Sequence, residues 1–115
     1  MAPPPSPAPT RITFFQTLVP LVASGAKTIT IRDETESHYQ PGTVVDVFPL
    51  EQPHQEIPTC RIRILAVEPL GWEDIDEEHV RQEGLASREQ LLEILESVYP
   101  RSETPQLYLI RFELL

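Results

Sequence analysis

The segment KTITIRD, from Lys27 to Asp33, is the most informative pattern in this chain of 115 residues. Its β-branched isoleucines alternate with polar residues, which is typical of a β-strand with one apolar and one polar face. We therefore predict a strand over residues 27–32. Gly25 lies two residues upstream and is well placed to end a preceding helix in a left-handed conformation.

The same segment carries residues that could perform chemistry. Lys27 is the single lysine of the chain, beside eight arginines. A partly desolvated lysine amine can lose its proton and act as a base, which an arginine cannot do, and Thr30 supplies a hydroxyl that becomes nucleophilic once a base removes its proton. The alternative for Lys27 is an ordinary surface lysine at the start of a strand. Since residues i and i+3 of a regular strand face opposite sides, Lys27 can reach Thr30 only from just before the strand or from a bulge.

Two further charged residues are candidates for the same site. Glu83 precedes Gly84 at the predicted end of a helix, where the helix dipole disfavours an ionised carboxylate, and this suits a proton donor. Its alternative is an unoptimised surface glutamate. Arg32 shares a strand face with Thr30 and could orient a carbonyl group or a sugar; its alternative is an ion pair with Asp33 or Glu34 at the rim of the site. Lys27, Thr30 and Glu83 together would supply the base, the nucleophile and the leaving-group acid of an acyl transfer.

The rest of the chain predicts an α+β fold in the order β-α-β-β-β-α-α-β. Thr17 could cap the first helix, Asp74 begins the second with Glu77 in capping-box register, and Ser87 begins the third, which Pro100 ends. Short strands of this kind suggest a small mixed barrel or a strongly bent sheet flanked by helices. The other predicted strands cover residues 12–15, 44–48, 60–67 and 107–112.

Charge and composition restrict the partners. The net charge is −9, and residues 68–96 hold ten acids but only two arginines. A surface of this kind repels a phosphate backbone, so we expect a small neutral or weakly charged ligand rather than stable nucleic-acid binding. The three histidines, His38, His54 and His79, lack metal-site spacing, and no glycine-rich phosphate loop is present, so we expect neither a metal site nor a nucleotide triphosphate.

Residues 1–10, MAPPPSPAPT, hold five of the 13 prolines and no charged side chain. We predict a disordered proline-rich tail there and a single folded domain over residues 11–115. No apolar stretch approaches the roughly 18 residues of a membrane span, and Cys60 has no partner for an internal disulfide. We therefore expect a soluble cytoplasmic protein without membrane contact.

The chain resembles the ASCH-domain family, and within it the bacterial N(4)-acetylcytidine amidohydrolases. The segments KTITIRD and ESH, at residues 27–33 and 36–38, carry the resemblance most specifically. Support comes from shorter matches at residues 12–15, 78–79, 82–83, 98–100 and 108–112. The departures are the long proline-rich start and a divergent loop over residues 50–59.

This resemblance implies a PUA-like β-barrel and the hydrolysis of N(4)-acetylcytidine to cytidine and acetate without metal or cofactor. It assigns the catalytic lysine to Lys27, the nucleophile to Thr30 and the proton donor to Glu83. The alternative belongs to a different functional class, because many PUA-like barrels bind RNA, and this one could merely recognise modified RNA. The strongly negative net charge argues against that alternative.

Overall fold

The computed structural model describes residues 9–115 and confirms the predicted order of elements. Residues 1–8 of the predicted tail lie outside the described residues. Within the described part, Thr10 already contacts the fold, because its carbonyl accepts a hydrogen bond of 2.9 Å from the amide of Asp46. The strands and helices are β1 (Arg11–Phe14), α1 (Val19–Ala23), β2 (Ile29–Arg32), β3 (Val44–Pro49), β4 (Cys60–Leu70), α2 (Glu77–Glu83), α3 (Arg88–Val98) and β5 (Leu107–Leu114), with short 3₁₀ turns at Glu34–Glu36 and Trp72–Asp74.

The five strands form one mixed sheet in the order β1-β3-β4-β5-β2. Only β1 and β3 run parallel, and the other three neighbouring pairs are antiparallel. The edge strands β1 and β2 are joined through a side chain, because the Arg32 guanidinium donates a 2.7 Å hydrogen bond to the Thr13 carbonyl. The sheet therefore bends far enough to bring its two edges within reach of one arginine, as expected for a small α+β domain of the predicted class.

Two apolar clusters fill the interior. One lies around β1, β3 and α1 and includes Ile12, Val22 and Val47. The other lies between β2, β5 and the helices α2 and α3, and includes Ile29, Leu91 and Leu109. Burial of such side chains is the main favourable term in folding, so these two clusters fix the positions of the edge strands and helices.

The strand predicted over residues 27–32 begins later than expected, at Ile29. The backbone amides of Lys27 and Thr28 instead bond to the carbonyls of Leu21 and Gln82, at 2.9 and 2.7 Å. These two bonds hold the segment against the ends of α1 and α2. Lys27 thus lies just before the strand, which is the position it needs in order to reach the polar face of β2.

Two predicted helix starts are wrong. The first helix has Leu18 at its N-cap, without a side-chain cap from Thr17, and Pro20 lies in its first turn. The second helix is capped by Asp76, whose carboxylate accepts a hydrogen bond from the amide of His79 while the His79 ring accepts one from the amide of Asp76. A histidine thus takes the place of the usual Glu or Gln of a capping box, which is why the pattern starting at Asp74 was misleading.

The other helix signals are confirmed. Gly84 ends α2 with a φ of 75°, a conformation that favours glycine, and Ser87 caps α3 through its hydroxyl. Within residues 9–115, no helix is long and apolar enough to cross a membrane.

Candidate active site

Four polar side chains are buried in the described part of the chain, and all four lie at one place. Their exposed fractions are 2% for Lys27, 4% for Thr30, 8% for Arg32 and 3% for Glu83. Burying such groups is costly unless they find partners, so their grouping indicates a functional site. They line one cavity of about 290 Å³ where β1 and β2 come together at the bent edges of the sheet. The sequence pattern had selected these same four residues.

Lys27 and Glu83 meet although they are 56 positions apart. The hydrogen bond between Thr28 and the Gln82 carbonyl joins their backbones, and Gly84 turns the chain away directly after Glu83. The Lys27 ammonium donates a hydrogen bond to Glu83 Oε2 and forms a buried ion pair with it. The structure therefore brings Lys27 and Glu83, two residues that the sequence had placed in one candidate site, into direct contact.

Burial controls the electrostatics of this pair. Loss of hydration lowers the pKa of Lys27 below its usual 10.5, because water no longer stabilises the ammonium. The carboxylate of Glu83 opposes this decrease by attraction, and the nearby Arg32 cation adds to it by repulsion. The net effect is to make the neutral amine, which is the form that acts as a base, more accessible than in a surface lysine.

Thr30 and Arg32 point into the cavity from the same face of β2, as residues two apart in a strand do. Arg32 Nε donates a hydrogen bond of 2.9 Å to the Thr30 hydroxyl oxygen. This bond fixes the oxygen and leaves the hydroxyl proton free to move toward an acceptor in the cavity. The position suits a nucleophile that is activated by a separate base.

The acidic partner of Arg32 differs from the two that the sequence suggested. Arg32 forms its ion pair with Glu36, at 2.7 Å, and not with Asp33 or Glu34. Asp33 is engaged locally, since it caps the following 3₁₀ turn by accepting a hydrogen bond from the amide of Thr35. That turn brings Glu36 back over the strand, and local sequence spacing gave no direct sign of this.

The sequence pattern also missed the aromatic and apolar walls of the cavity. The ring of Phe14 lies near both cations, with its centroid 5.6 Å from Lys27 Nζ and 4.9 Å from Arg32 Cζ. A ring face in this position can interact favourably with both charges. The apolar wall comes from Leu18, Leu85 and one side of α3: Leu91, Ile94, Leu95 and Val98. Their helical spacing indicated only a core face, because a cavity between elements leaves no local signature.

Comparison with known proteins identifies relatives of this chain. The family model described as the ASCH domain matches residues 10–110. An N(4)-acetylcytidine amidohydrolase from Vibrio cholerae is 50% identical over 106 residues, covering 92% of this chain and 88% of that protein. The protein of the same name from Vibrio parahaemolyticus is 47% identical over 107 residues, covering 93% and 94%.

Solved structures support the fold. The crystal structure of an ASCH domain from Lactobacillus crispatus matches with a TM-score of 0.70 at 20% identity, covering 85% of this chain and 70% of that one. A mutant ASCH protein from Zymomonas mobilis matches with a TM-score of 0.65 at 14% identity, covering 91% and 70%. The fold and the family predicted from the sequence are confirmed, and the chain belongs to the ASCH-domain family.

Proposed function

We propose that this protein hydrolyses N(4)-acetylcytidine to cytidine and acetate through an acetyl ester on Thr30. The observation that carries the proposal is the buried Lys27–Glu83 pair in the same cavity as the Thr30 hydroxyl. Relatives that are 47–50% identical over nearly the whole chain bear the name of this activity. The cavity, at about 290 Å³, is close to the lower end of the range of roughly 300–1,000 Å³ that is typical of small-molecule sites.

The hydrogen bond between Lys27 and Glu83 provides the base and the acid together. Transfer of one proton from the Lys27 ammonium to the Glu83 carboxylate produces a neutral amine and a carboxylic acid. Burial assists this step on the side of Lys27, because loss of hydration lowers the pKa of its ammonium group. The pair then carries a proton acceptor for the Thr30 hydroxyl and a proton donor for the leaving nitrogen.

Acylation uses both groups. Lys27 takes the hydroxyl proton while Thr30 Oγ1 forms a bond to the acetyl carbonyl carbon. The bond from that carbon to N4 of cytosine then breaks, and Glu83 protonates the nitrogen. The departing amine is conjugated to a pyrimidine and leaves more readily than an alkyl amine, so a threonine is a sufficient nucleophile.

Deacylation restores the starting state. Water attacks the Thr30 ester, the Glu83 carboxylate takes one of its protons, and the Lys27 ammonium returns a proton to Thr30 Oγ1. Acetic acid is released, and the pair is again an amine and a carboxylic acid. All the protons that move in the cycle belong to Lys27, Glu83, Thr30 and the attacking water molecule.

Arg32 is the candidate for positioning the substrate. Its Nε already contacts the Thr30 oxygen, so the guanidinium lies next to the atom that would attack. A carbonyl approaching Thr30 would therefore meet a fixed positive charge. This position supports orientation of the acetyl carbonyl more directly than orientation of a sugar.

We expect the free nucleoside, and not RNA, to be the substrate. Residues 68–96 are strongly acidic, and Glu83, Leu91 and Leu95 of this region line the cavity. Repulsion of a phosphate backbone should therefore slow the reaction on a polymer.

The cytoplasmic location that the single cysteine, Cys60, suggests also stays a prediction.

An absorbance assay of deacetylation, run at low salt with equal concentrations of acetylcytidine and of an RNA strand carrying the same group, tests the function. We expect fast loss of the acetyl group from the nucleoside and much slower loss from the RNA. A gel shift with that RNA runs in parallel. Tight RNA binding without acetate release would instead support the alternative of an RNA-recognition module.

A further inference from the structure

Glu36 and Tyr99 contact each other although the chain separates them by 63 positions. The Tyr99 hydroxyl donates a hydrogen bond of 3.0 Å to Glu36 Oε2, while Glu36 Oε1 accepts one of 2.7 Å from the Arg32 guanidinium. Both residues also line the catalytic cavity. The proposed mechanism gives neither of them a proton or a bond to handle.

Together these contacts form a continuous chain that ends at the proposed nucleophile. Tyr99 follows the last turn of α3 and contacts Glu36 in the 3₁₀ turn after β2. Glu36 holds one side of the Arg32 guanidinium, and Arg32 Nε in turn contacts the Thr30 oxygen. The chain thus runs from the end of a helix, through a carboxylate and a guanidinium, to the hydroxyl oxygen.

The guanidinium needs this support because arginine has a long side chain with many rotamers. Three of its nitrogens have fixed partners, which are Thr30, Glu36 and the carbonyl of Thr13. The Thr13 contact holds only one end of the guanidinium group. The contact with Glu36 holds a second nitrogen, so Nε stays directed at Thr30.

The Glu36 side chain is 33% exposed, so an ion pair with Arg32 alone would be a weak restraint. Tyr99 supplies what is missing, since its hydroxyl fixes the second carboxylate oxygen. Burial raises the pKa of Tyr99, with Glu36 adding to the increase, so the phenol keeps its proton and stays a donor.

We propose that Glu36 and Tyr99 are positioning residues of the hydrolysis, which act by fixing the Arg32 guanidinium against the Thr30 hydroxyl. This inference rests on the acyl-threonine mechanism proposed above. The family resemblance included residues 36–38 and 98–100 but gave them no role. The proposal assigns a role to one residue in each of these segments. Neither residue is expected to contact the reacting atoms.

The test uses full-length Glu36→Ala, Glu36→Gln and Tyr99→Phe proteins with acetylcytidine as substrate. Glu36→Ala should lower kcat by about ten- to a hundredfold, the range for loss of a charge-assisted hydrogen bond, while KM stays within about twofold. Glu36→Gln keeps an acceptor oxygen and should recover activity to within about tenfold of wild type, and Tyr99→Phe should cost less than Glu36→Ala. Glu34→Ala is the matched control, because Glu34 is an exposed acid in the same 3₁₀ turn, and its kcat should not change.

A double-mutant cycle separates positioning from a general structural effect. If Glu36 acts through Arg32, adding Glu36→Ala to Arg32→Lys should lower kcat by less than about twofold, because lysine cannot reproduce the forked contact. An equal loss in both backgrounds would overturn the proposal. Wild-type kcat in a folded Glu36→Ala protein, or an effect on KM alone, would do the same.

Thr30→Ala distinguishes failure of this inference from failure of the mechanism. An active Thr30→Ala protein would contradict the acyl-threonine mechanism itself. An inactive Thr30→Ala protein beside an unaffected Glu36→Ala protein would contradict only the positioning role.

Discussion

Strands β2 and β4 both alternate apolar and polar residues, but the polar residues of the two strands lie in different environments. In β4, Ile62 and Ile64 are buried while Arg61 and Arg63 are exposed, as expected for a strand with one wet face. In β2, all four residues are buried, including Thr30 and Arg32 on the polar face. The same type of sequence therefore produces a surface in one strand and the wall of a cavity in the other.

The partners of the polar residues show what this difference means. Arg61 and Arg63 pair with Asp46 and Glu113 at 2.9 Å in exposed positions, and such pairs contribute little to stability. The polar face of β2 instead lines the cavity, together with Phe14, the Lys27–Glu83 pair and apolar residues of α3. Enclosing a polar strand face costs desolvation energy. The enclosed polar face of β2 is therefore the candidate site for catalysis.

The largest effect should come from removing the nucleophile on the buried face. Thr30→Ala should lower turnover by roughly ten-thousandfold or more, because no acetyl ester can form. Arg63→Ala, on the exposed face of β4, should leave turnover unchanged. A steady-state assay of both purified proteins makes the comparison, and substantial activity in Thr30→Ala would show that the buried face does not supply the nucleophile.

Replacing the base with a permanent cation should have the next largest effect. Lys27→Arg keeps the positive charge but cannot be deprotonated, so we expect a loss of about a hundred- to ten-thousandfold. Circular dichroism and thermal unfolding check that the variant is folded. Turnover like that of wild type in a folded Lys27→Arg protein would remove Lys27 from the role of base.

Glu83→Gln should have an effect that depends on the leaving group. Glutamine keeps the size and the hydrogen bonding but cannot deliver a proton, so the loss on acetylcytidine should be about a hundred- to ten-thousandfold. An activated acetyl ester with a phenolate-type leaving group needs no such proton and should be slowed by less than about tenfold. If both substrates were slowed equally, Glu83 would be assigned to binding or structure instead.

The last comparison, measured as the free energy of unfolding, separates buried from exposed ion pairs. Glu83→Leu leaves the Lys27 cation buried without its partner and should destabilise the fold by about 3–5 kcal/mol. Adding Lys27→Met should recover most of that loss, since replacing a whole buried pair with apolar residues is often neutral or stabilising. Glu113→Ala, which breaks the exposed pair with Arg63, should cost at most about 1 kcal/mol. Urea unfolding of the four proteins gives the free energies, and a Glu83→Leu protein as stable as wild type would contradict this picture.

Local patterns account for much of the fold. The alternation of residues 29–32, the cap at Ser87 and the glycine at position 84 act over a few residues, and each was predicted. The predicted start of α2 was wrong because a histidine, His79, completes its capping box. The usual sequence pattern for a capping box has Glu or Gln at that position.

The features that the sequence did not predict are contacts between distant parts of the chain. Lys27 and Glu83 were grouped by their chemistry and by the family resemblance, and the structure shows that the bond from Thr28 to the end of α2 brings them together. Nothing comparable linked Glu36 with Tyr99, because a pairing of this kind depends on how a short turn packs against a helix end. The roles of Lys27, Thr30 and Glu83 in catalysis stay predictions.

The most direct test of the acyl-threonine mechanism measures how the acetyl group of the proposed Thr30 ester is divided between water and added hydroxylamine. Acetylcytidine and the activated acetyl ester are each hydrolysed by the wild-type protein at a fixed hydroxylamine concentration, and acetate and acetohydroxamate are quantified. A common Thr30 ester predicts the same product ratio from both substrates, because the leaving group has departed before the nucleophiles compete. A ratio that differs between the two substrates would show that water attacks the substrate directly, which would contradict a covalent intermediate.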